Sequence, residues 1–284
     1  MGIKEFLREY GFRFKKKWGQ NFITDRGTLE KIADVAEIEK DDIVVEIGAG
    51  MGTLTKVLSE RAAKVIAIEI DRELIPFLQE NLDEEKVSLI QGDALELSLD
   101  NLVTEITGDP FCKYKIVANL PYYITTPLLM GFLEKEKRVE KIVAMIQKEV
   151  AERLAAKPGG KDYGALTVNA NLFAEVRLTF TVSRKVFIPQ PEVESAVVEL
   201  KIREDKKSIP ERELLSKIIR AAFNQRRKTL QNALKSLGEE KAFLDAVLTE
   251  AQIAGDRRGE TLSPEEFIHL SKTFSKIKKE KGKS

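Results

Sequence analysis

The 284-residue sequence predicts an α/β fold with a doubly wound, mostly parallel sheet, followed by a small helical domain. Short Val- and Ile-rich runs alternate with segments of helical spacing between residues 42 and 200. A glycine cluster follows the first run, and a polar, helically spaced region follows Arg203. Buried parallel strands are near-continuous apolar runs, and alternation with helices indicates parallel pairing. We therefore expect one domain over residues 1–204 and a helical domain over residues 205–284.

Seven strands are predicted. The parallel strands are residues 43–47, 64–70, 87–91, 115–119 and 141–146, and the helices that follow four of them are residues 53–61, 72–81, 127–134 and 148–156. Two further runs, residues 176–182 and 195–202, have no helix between them, so we expect them to be antiparallel neighbours. Beyond a polar linker at residues 204–210, Ser263-Pro264 followed by two glutamates is typical of a helix start. The Lys-rich end, residues 276–284, is expected to be frayed.

The composition excludes several kinds of chemistry. Cys112 is the only cysteine and His269 the only histidine. An intramolecular disulfide and a cysteine-based zinc site are therefore excluded, and neither a His-based metal site nor a Ser-His-Asp triad is expected. No apolar run has the length of a membrane span, and residues 1–10 do not resemble a secretory signal. We expect a cytoplasmic protein with no metal site and no membrane partner.

The glycines Gly48, Gly50 and Gly52 follow the first strand and predict a close approach of the backbone to a ligand. Thr53 stands where the dinucleotide fingerprint has its last glycine, and the lysine of a P-loop is missing. The ligand is therefore nucleotide-like without matching either of those two motifs.

Two acids mark the ends of the next strands. Glu69 lies 21 residues beyond Gly48, a spacing at which an acid accepts hydrogen bonds from both ribose hydroxyls. Asp93 ends the third strand at the same edge, where its carboxylate can accept from an adenine amino group. The alternatives are a solvated acid for Glu69 and a turn residue or helix N-cap for Asp93.

The fourth strand ends in Asn119-Leu120-Pro121-Tyr122. The Asn119 side-chain oxygen and a backbone carbonyl, which we assign to Pro121, can accept two hydrogen bonds from one NH₂ group. The Tyr122 ring can stack on a planar base. The tetrapeptide predicts a pocket for a base with an exocyclic amine, and the alternative is an ordinary turn with a packing aromatic.

Six blocks in order resemble one family, the ribosomal RNA adenine N6,N6-dimethyltransferases (dimethyladenosine transferases) that modify the small subunit. The blocks are Lys17-Trp18-Gly19-Gln20-Asn21-Phe22, Glu46-Ile47-Gly48-Ala49-Gly50-Met51-Gly52, Asn119-Leu120-Pro121-Tyr122-Tyr123-Ile124, Gln147 to Arg153, Phe187 to Val197, and Ala222 to Leu230. Ile23 stands where the family usually has leucine, which preserves an apolar contact.

The resemblance implies a Rossmann-like class I S-adenosylmethionine methyltransferase with an N-terminal lid and an RNA-binding C-terminal domain. Its activity would be the transfer of methyl groups from S-adenosyl-L-methionine to N6 of two adjacent adenosines near the 3′ end of 16S ribosomal RNA, during 30S biogenesis. The implied partner is small-subunit ribosomal RNA or the immature 30S subunit, and we expect a monomer.

The resemblance also implies the site residues. The implied cofactor-binding residues are Gln20, Asn21, Ile23, Gly48, Gly50, Glu69, Ile70, Asp93, Ala94 and Asn119. The implied catalytic residues are Asn119, Leu120, Pro121, Tyr122 and Phe187, the last as a second aromatic clamp on the target base. For Phe187, core packing is the alternative. Arg226, Arg227 and Lys228 are the implied RNA-binding residues.

Three other functions stay open from the sequence. A macrolide-resistance type methyltransferase acting on large-subunit RNA would share the fold and the tetrapeptide. A non-catalytic assembly factor could use the same fold, although the intact tetrapeptide argues against it. A small-molecule or protein methyltransferase is the third, and the basic C-terminal region argues against it.

The near-zero net charge of +1 is the sum of strongly unequal segments. Residues 1–20 carry +4, residues 37–109 carry −12, residues 201–235 carry +7 and residues 271–284 carry +5. An uneven solvated surface is one interpretation. The other is an acidic cofactor-binding half with basic segments that pair with phosphates, and it predicts RNA binding that weakens steeply with salt.

Overall fold

The computed structural model describes residue 15 and residues 19–204, 211–225 and 227–281. Two compact units are present. The first comprises Met1–Ala151 and Glu175–Ile202, and the second comprises Glu152–Ala174 and Arg203–Ser284.

The secondary structure alternates as the sequence predicts. The strands are β1 (Phe22–Ile23), β2 (Ile43–Ile47), β3 (Lys64–Glu69), β4 (Val87–Gln91), β5 (Tyr114–Asn119), β6 (Val139–Gln147), β7 (Ala174–Val182), β8 (Phe187–Ile188) and β9 (Ser195–Ile202). The helices are α1 (Arg26–Ala36), α2 (Thr53–Ser59), α3 (Ile75–Asn81), α4 (Leu99–Thr107), α5 (Thr125–Lys135), α6 (Lys148–Leu154), α7 (Ala165–Asn171), α8 (Arg212–Asn224), α9 (Leu230–Leu234), α10 (Lys241–Glu250) and α11 (Pro264–Lys281).

The first unit is built on a seven-stranded sheet in the order β4-β3-β2-β5-β6-β9-β7. Strands β2 to β6 pair in parallel, and β9 runs antiparallel to β6. Between β7 and β9, Arg177 contacts Glu199 and Thr179 contacts Val197, so these neighbours are antiparallel as predicted. The order reverses between β2 and β5, and ligands of open α/β sheets bind at such a reversal, beyond the carboxyl ends of the strands.

Burial explains why the central strands read as continuous apolar runs. Val44 and Val45 of β2, Ile66 of β3 and Ile116 of β5 are fully buried. Because helices cover both faces of a parallel sheet, each side chain of these strands meets apolar neighbours instead of water. The resulting rigid sheet fixes where each strand ends.

Three helices, α1, α4 and α7, were not anticipated from the strand–helix alternation. Asp25 caps α1 by accepting the N–H of Thr28, and Ser98 caps α4 by accepting the N–H of Asn101. Asp and Ser side chains satisfy the first N–H groups of a helix in this way. Those capping residues are the sequence signal that identifies the starts of α1 and α4.

A two-stranded ladder outside the main sheet joins the N-terminal region to a distant segment. β1 pairs antiparallel with β8, with Phe22 opposite Ile188 and Ile23 opposite Phe187. Phe22, Ile23 and Phe187 are all buried in the apolar core of the first unit. The ladder thus holds the residues that precede α1 against the sheet.

The second unit is helical, as predicted for the C-terminal domain, but it takes in more of the chain than residues 205–284. The Tyr163 ring lies 5.9 Å from that of Phe223 in α8, and Phe223 lies 5.9 Å from Phe267 in α11. The Tyr163 hydroxyl donates to the Leu262 carbonyl at 2.7 Å. These contacts place residues 152–174 with the C-terminal helices, whereas the expected boundary at residue 204 placed them with the sheet. Within the described ranges, no helix combines the length and apolarity that a membrane crossing requires.

Close packing in the second unit predicts a strong effect at Gly259. A Cβ there would lie 2.7 Å from the Ala222 Cβ and 2.9 Å from its carbonyl oxygen. We expect Gly259→Ala to lower the free energy of unfolding by about 1–3 kcal/mol because the backbone must move.

Gly131→Ala is the control. A Cβ on Gly131 in α5 meets nothing within 4 Å, and alanine there should stabilise by about 0.4–1 kcal/mol. Denaturant unfolding of both variants measures the two effects. If the unfolding midpoint of Gly259→Ala equalled that of the unmodified chain, the close contact with Ala222 would be contradicted.

Candidate active site

A pocket opens at the carboxyl edge of the sheet, where the strand order reverses. It is lined by residues that follow β2, β3, β4 and β5, together with residues 19–23 of the N-terminal region. All of the implied cofactor-binding residues line this pocket. Four separate strand ends and one N-terminal segment therefore converge on a single cavity.

The glycine loop after β2 forms one wall. Gly48 and Gly50 have φ angles of 78° and 58°, in the left-handed region that favours glycine. A Cβ on Gly50 would lie 2.9 Å from the Phe22 ring. The loop requires glycine at position 50 for both reasons, and its backbone stays open towards the pocket.

Glu69 is fixed at the end of β3. Its side chain accepts the Gly50 N–H at 2.7 Å and the Asp71 N–H at 2.8 Å. Glu69 is only 5% exposed, so the alternative of a solvated acid is wrong. Burial raises the pKa of this carboxyl, and the two backbone N–H donors oppose that rise. The residue thus joins the glycine loop to the pocket wall.

Asp93 and Ala94, which follow β4, line the pocket together with Ile70, which follows the neighbouring strand β3. One Asp93 carboxylate oxygen, Oδ1, accepts the Leu95 N–H at 2.9 Å. The turn interpretation is therefore correct for this oxygen. The interpretation as a ligand acceptor is compatible with it, because a carboxylate has two oxygens with several acceptor positions.

Asn119 connects the end of β5 to the N-terminal segment. Its Nδ2 donates to the Asn21 carbonyl at 3.0 Å. With the amide nitrogen so engaged, the side-chain oxygen is the group available as an acceptor. Asn119 and Asn21 both line the pocket.

The second acceptor differs from the sequence prediction. The Pro121 carbonyl already accepts the Ile124 N–H at 3.2 Å and the Thr125 hydroxyl at 3.0 Å. Two hydrogen bonds occupy both of its lone pairs, so the assignment of this carbonyl as a base acceptor is wrong. Leu120 donates its N–H to Met145, and no hydrogen bond to its carbonyl is found in the described part of the chain. The Leu120 carbonyl is the better candidate.

Tyr122 is partly buried and lines the pocket. Its hydroxyl is 2.6 Å from the Ser195 hydroxyl at the start of β9, which fixes the plane of the ring. Burial raises the pKa of Tyr122, although the Ser195 contact opposes this, so the phenol stays neutral. Tyr123, which the sequence analysis quoted only within a motif, also lines the pocket and is 53% exposed.

Phe187 lies elsewhere. Its side chain is 2% exposed, within the apolar core, and it is not part of the pocket wall. In the ladder of β8 with β1, Phe187 lies opposite Ile23, and both belong to the apolar core. The arrangement supports the core-packing alternative, and Phe187 is not placed as a clamp on a base.

A polar network that the sequence analysis missed holds the N-terminal segment. Asp71, two residues beyond Glu69, accepts the Lys15 Nζ and the Gln20 amide, each at 2.7 Å. Gln20 in turn accepts the Lys15 backbone N–H at 2.8 Å. Burial pushes the pKa of Asp71 up, but Lys15, the Glu73 N–H and Gln20 outweigh it, and the net pKa is lowered. An acid two residues after Glu69 was the signal available in the sequence.

The predicted RNA-binding residues belong to the second unit. Arg227 and Lys228 are exposed in the loop between α8 and α9. Arg226 lies outside the described residues, as do Lys17, Trp18 and most of the basic segment 1–20.

Comparison with known proteins extends over nearly the whole chain. A family model described as ribosomal RNA adenine dimethylase matches residues 11–276. A Moorella thermoacetica protein named ribosomal RNA small subunit methyltransferase A is 48% identical over 273 residues, which are 94% of this chain and 95% of that protein. A protein of the same name from Alkaliphilus metalliredigens is 46% identical over 274 residues, 95% of this chain and 94% of that protein.

Two solved structures share the fold. A dimethyladenosine transferase from Plasmodium falciparum is 30% identical with a TM-score of 0.76, covering 90% of this chain and 98% of that one. The 23S rRNA methyltransferase ErmE is 26% identical with a TM-score of 0.66, covering 89% and 99%. The prediction of a Rossmann-like class I methyltransferase fold is confirmed. With the family model matched from residue 11 to residue 276, this chain belongs to the ribosomal RNA adenine dimethylase family.

Proposed function

We propose that this enzyme transfers methyl groups from S-adenosyl-L-methionine to N6 of adenosines in small-subunit ribosomal RNA. The targets are two adjacent adenosines near the 3′ end of 16S RNA in the immature 30S subunit. One observation carries the proposal: the glycine loop, Glu69 and Asn119 all line one pocket at the reversal of the sheet order. The names of the relatives, small subunit methyltransferase A and dimethyladenosine transferase, support it.

The pocket suits this cofactor. Gly50 lets the Phe22 ring pack directly against the glycine loop in the pocket wall, because a Cβ at this position would overlap that ring. Glu69 can accept ribose hydroxyls, Asp93 can accept an adenine amino group, and Gln20, Asn21 and Ile23 would cover the ligand. S-adenosylmethionine, when bound, supplies a methyl group on a positively charged sulfur.

The chain's own residues orient the target amine. Its lone pair is delocalised into the purine ring, which makes it a poor nucleophile. The Asn119 side-chain oxygen and the Leu120 carbonyl would each accept one N–H, which favours a pyramidal nitrogen. Preorganised acceptors also stabilise the positive charge that develops there. Fixed alignment can contribute up to about 7–11 kcal/mol, and the target base must first be unstacked at a cost of a few kcal/mol.

The experiment is a methylation map. Purified chain and tritium-labelled cofactor are combined with small subunits lacking this modification and, in a parallel reaction, with large subunits, and the modified positions are mapped by primer extension. We expect two adjacent stops near the 3′ end of 16S RNA. Label in large-subunit RNA would favour the activity named for ErmE, and cofactor binding without transfer to either subunit would favour a non-catalytic factor. Transfer only to a protein or small molecule would overturn RNA as the substrate.

Tyr122 gives a sharper prediction at the base. Tyr122→Ala should lower kcat/KM by about 5–150-fold, because base–aromatic stacking contributes about 1–3 kcal/mol. Tyr122→Phe keeps the ring and loses only the contact with Ser195, so the loss should stay within about tenfold. Single-turnover methylation of the subunit checks both variants, and equal losses would mean that the hydroxyl matters more than stacking.

Arg227 and Lys228 are proposed to bind phosphates of the RNA. Replacing either by alanine should weaken subunit binding and reduce the slope of log affinity against log salt by about 1. Lys40→Ala, an exposed lysine in the acidic segment, serves as the control. Titrations at several salt concentrations test this, and a slope equal to that of the control would contradict it. The monomeric state and the cytoplasmic location remain predictions from the sequence.

A further inference from the structure

Glu46 is a buried acid that no step of the proposed mechanism uses. It lies in β2, two residues before Gly48, and it lines the pocket. The residue is 1% exposed, and its Oε2 finds no hydrogen-bond partner among the described residues. A buried carboxylate with an unpartnered oxygen is costly, because neither water nor a donor replaces its lost hydration.

Among the residues that the structure describes, no lysine or arginine lines the pocket around Glu46. In the ladder it lies between Ala67 of β3 and Val117 of β5. The charged group that faces it from β3 is a second carboxyl, Glu69, and the helix packed beside it, α2, contributes the neutral Thr55. Residues 19–23 of the pocket wall are uncharged. Three acids, Glu46, Glu69 and Asp93, therefore line this pocket, and Glu69 is tied to two backbone N–H groups.

These surroundings decide the protonation of Glu46. Burial raises its pKa to about 8, Thr55 opposes the rise in part, and the charge of Glu69 adds to it. In the absence of a cationic ligand, about nine-tenths of the molecules would then carry the proton at pH 7. A positive charge within about 4–6 Å of a carboxyl typically lowers its pKa by about 1–3, enough to reverse this.

We propose that Glu46 holds a proton until the sulfonium cofactor binds and then releases it to solvent, so that Glu46 distinguishes the cationic cofactor from the neutral thioether product. The inference rests on the proposed function, since it takes S-adenosylmethionine as the ligand. The two ligands share the amino and carboxyl groups and differ in the charge on sulfur. Ionised Glu46 stabilises the bound sulfonium cofactor, and protonated Glu46 is compatible with the bound thioether product.

Proton release is measured directly by calorimetry. Binding of each ligand at pH 7 is titrated in buffers with different ionisation enthalpies, and the slope of the observed enthalpy gives the number of protons released. We expect between about 0.4 and 0.9 proton for S-adenosylmethionine and less than half of that for S-adenosylhomocysteine. Glu46→Gln keeps the shape without the charge, and it should bind the cofactor with no release and with reduced preference over the product.

A second measurement does not depend on the variant folding. Because binding releases a proton, the affinity of the unmodified chain for S-adenosylmethionine should rise with pH, by up to tenfold per pH unit. Above about pH 8 the affinity should level off. A pH-independent affinity, release in Glu46→Gln equal to that of the unmodified chain, or equal release with both ligands would overturn the proposal. Cofactor binding without proton release would sink only this inference, whereas no cofactor binding at all would sink the proposed function with it.

Discussion

Alanine at position 119 is expected to lower methyl transfer by about 10²–10³-fold or more. The side-chain oxygen of Asn119 would be one of two acceptors for the target amine, and losing one preorganised hydrogen-bonding group of this kind typically has that effect on turnover. The cofactor should still bind, because the glycine loop and Glu69 are untouched. Its affinity should weaken by no more than about tenfold, through loss of the contact with the Asn21 carbonyl. Single-turnover transfer to small subunits gives the first quantity, and calorimetry gives the second.

Asn101→Ala is the matched control for that experiment. Asn101 is an exposed asparagine in α4, away from the pocket, and its replacement should change neither quantity. Turnover of Asn119→Ala close to that of the control would remove Asn119 from the mechanism. It would also leave the Leu120 carbonyl without its proposed partner.

Replacing Glu69 by alanine should have its effect on binding instead. The carboxylate would accept both ribose hydroxyls, and two hydrogen bonds to a charged group contribute about 1.5–3 kcal/mol each. We therefore expect the affinity for S-adenosylmethionine to fall by about 10²–10⁴-fold. The variant also loses the bond that ties the Gly50 N–H to β3, which loosens the loop. Equilibrium binding by calorimetry or filter retention of labelled cofactor measures this.

Glu96→Ala is the control for Glu69→Ala, since Glu96 is exposed in the turn after the neighbouring strand β4 and does not line the pocket. Its replacement should leave the affinity unchanged. If Glu69→Ala bound the cofactor as well as this control does, the ribose would have to be held by other residues. The match of Glu69 to a dinucleotide-type spacing would then be coincidental.

Local chemistry explains which parts could be predicted from the sequence. The strands have apolar runs that are typical of a buried parallel sheet, so their positions along the chain could be predicted, and β4 and β9 begin and end at the predicted residues. Gly48, Gly50, Glu69 and Asn119 stand directly at strand ends. Because parallel strands all end at one edge, residues far apart in sequence were expected to converge there.

The remaining features depend on contacts that no local pattern contains. Asp71 holds Gln20 and Lys15 only because β1 pairs with a strand more than 160 residues away. The same pairing takes Phe187 out of the pocket. The Pro121 carbonyl is occupied because α5 begins at Thr125, a boundary that the sequence placed two residues later. Residues 152–174 join the second unit through aromatic contacts with α8 and α11.

The hydrogen bond from Asn119 to the Asn21 carbonyl decides which end of the Asn119 amide can act as an acceptor. An amide has one donating end and one accepting end, and the N-terminal segment occupies the donating end. The accepting end is then aimed correctly only while that segment is in place. An aspartate would meet the Asn21 carbonyl with a second oxygen and be repelled, so the position demands asparagine. The Asn21 carbonyl thus fixes the Asn119 amide, and without this contact the acceptor oxygen would be free to rotate.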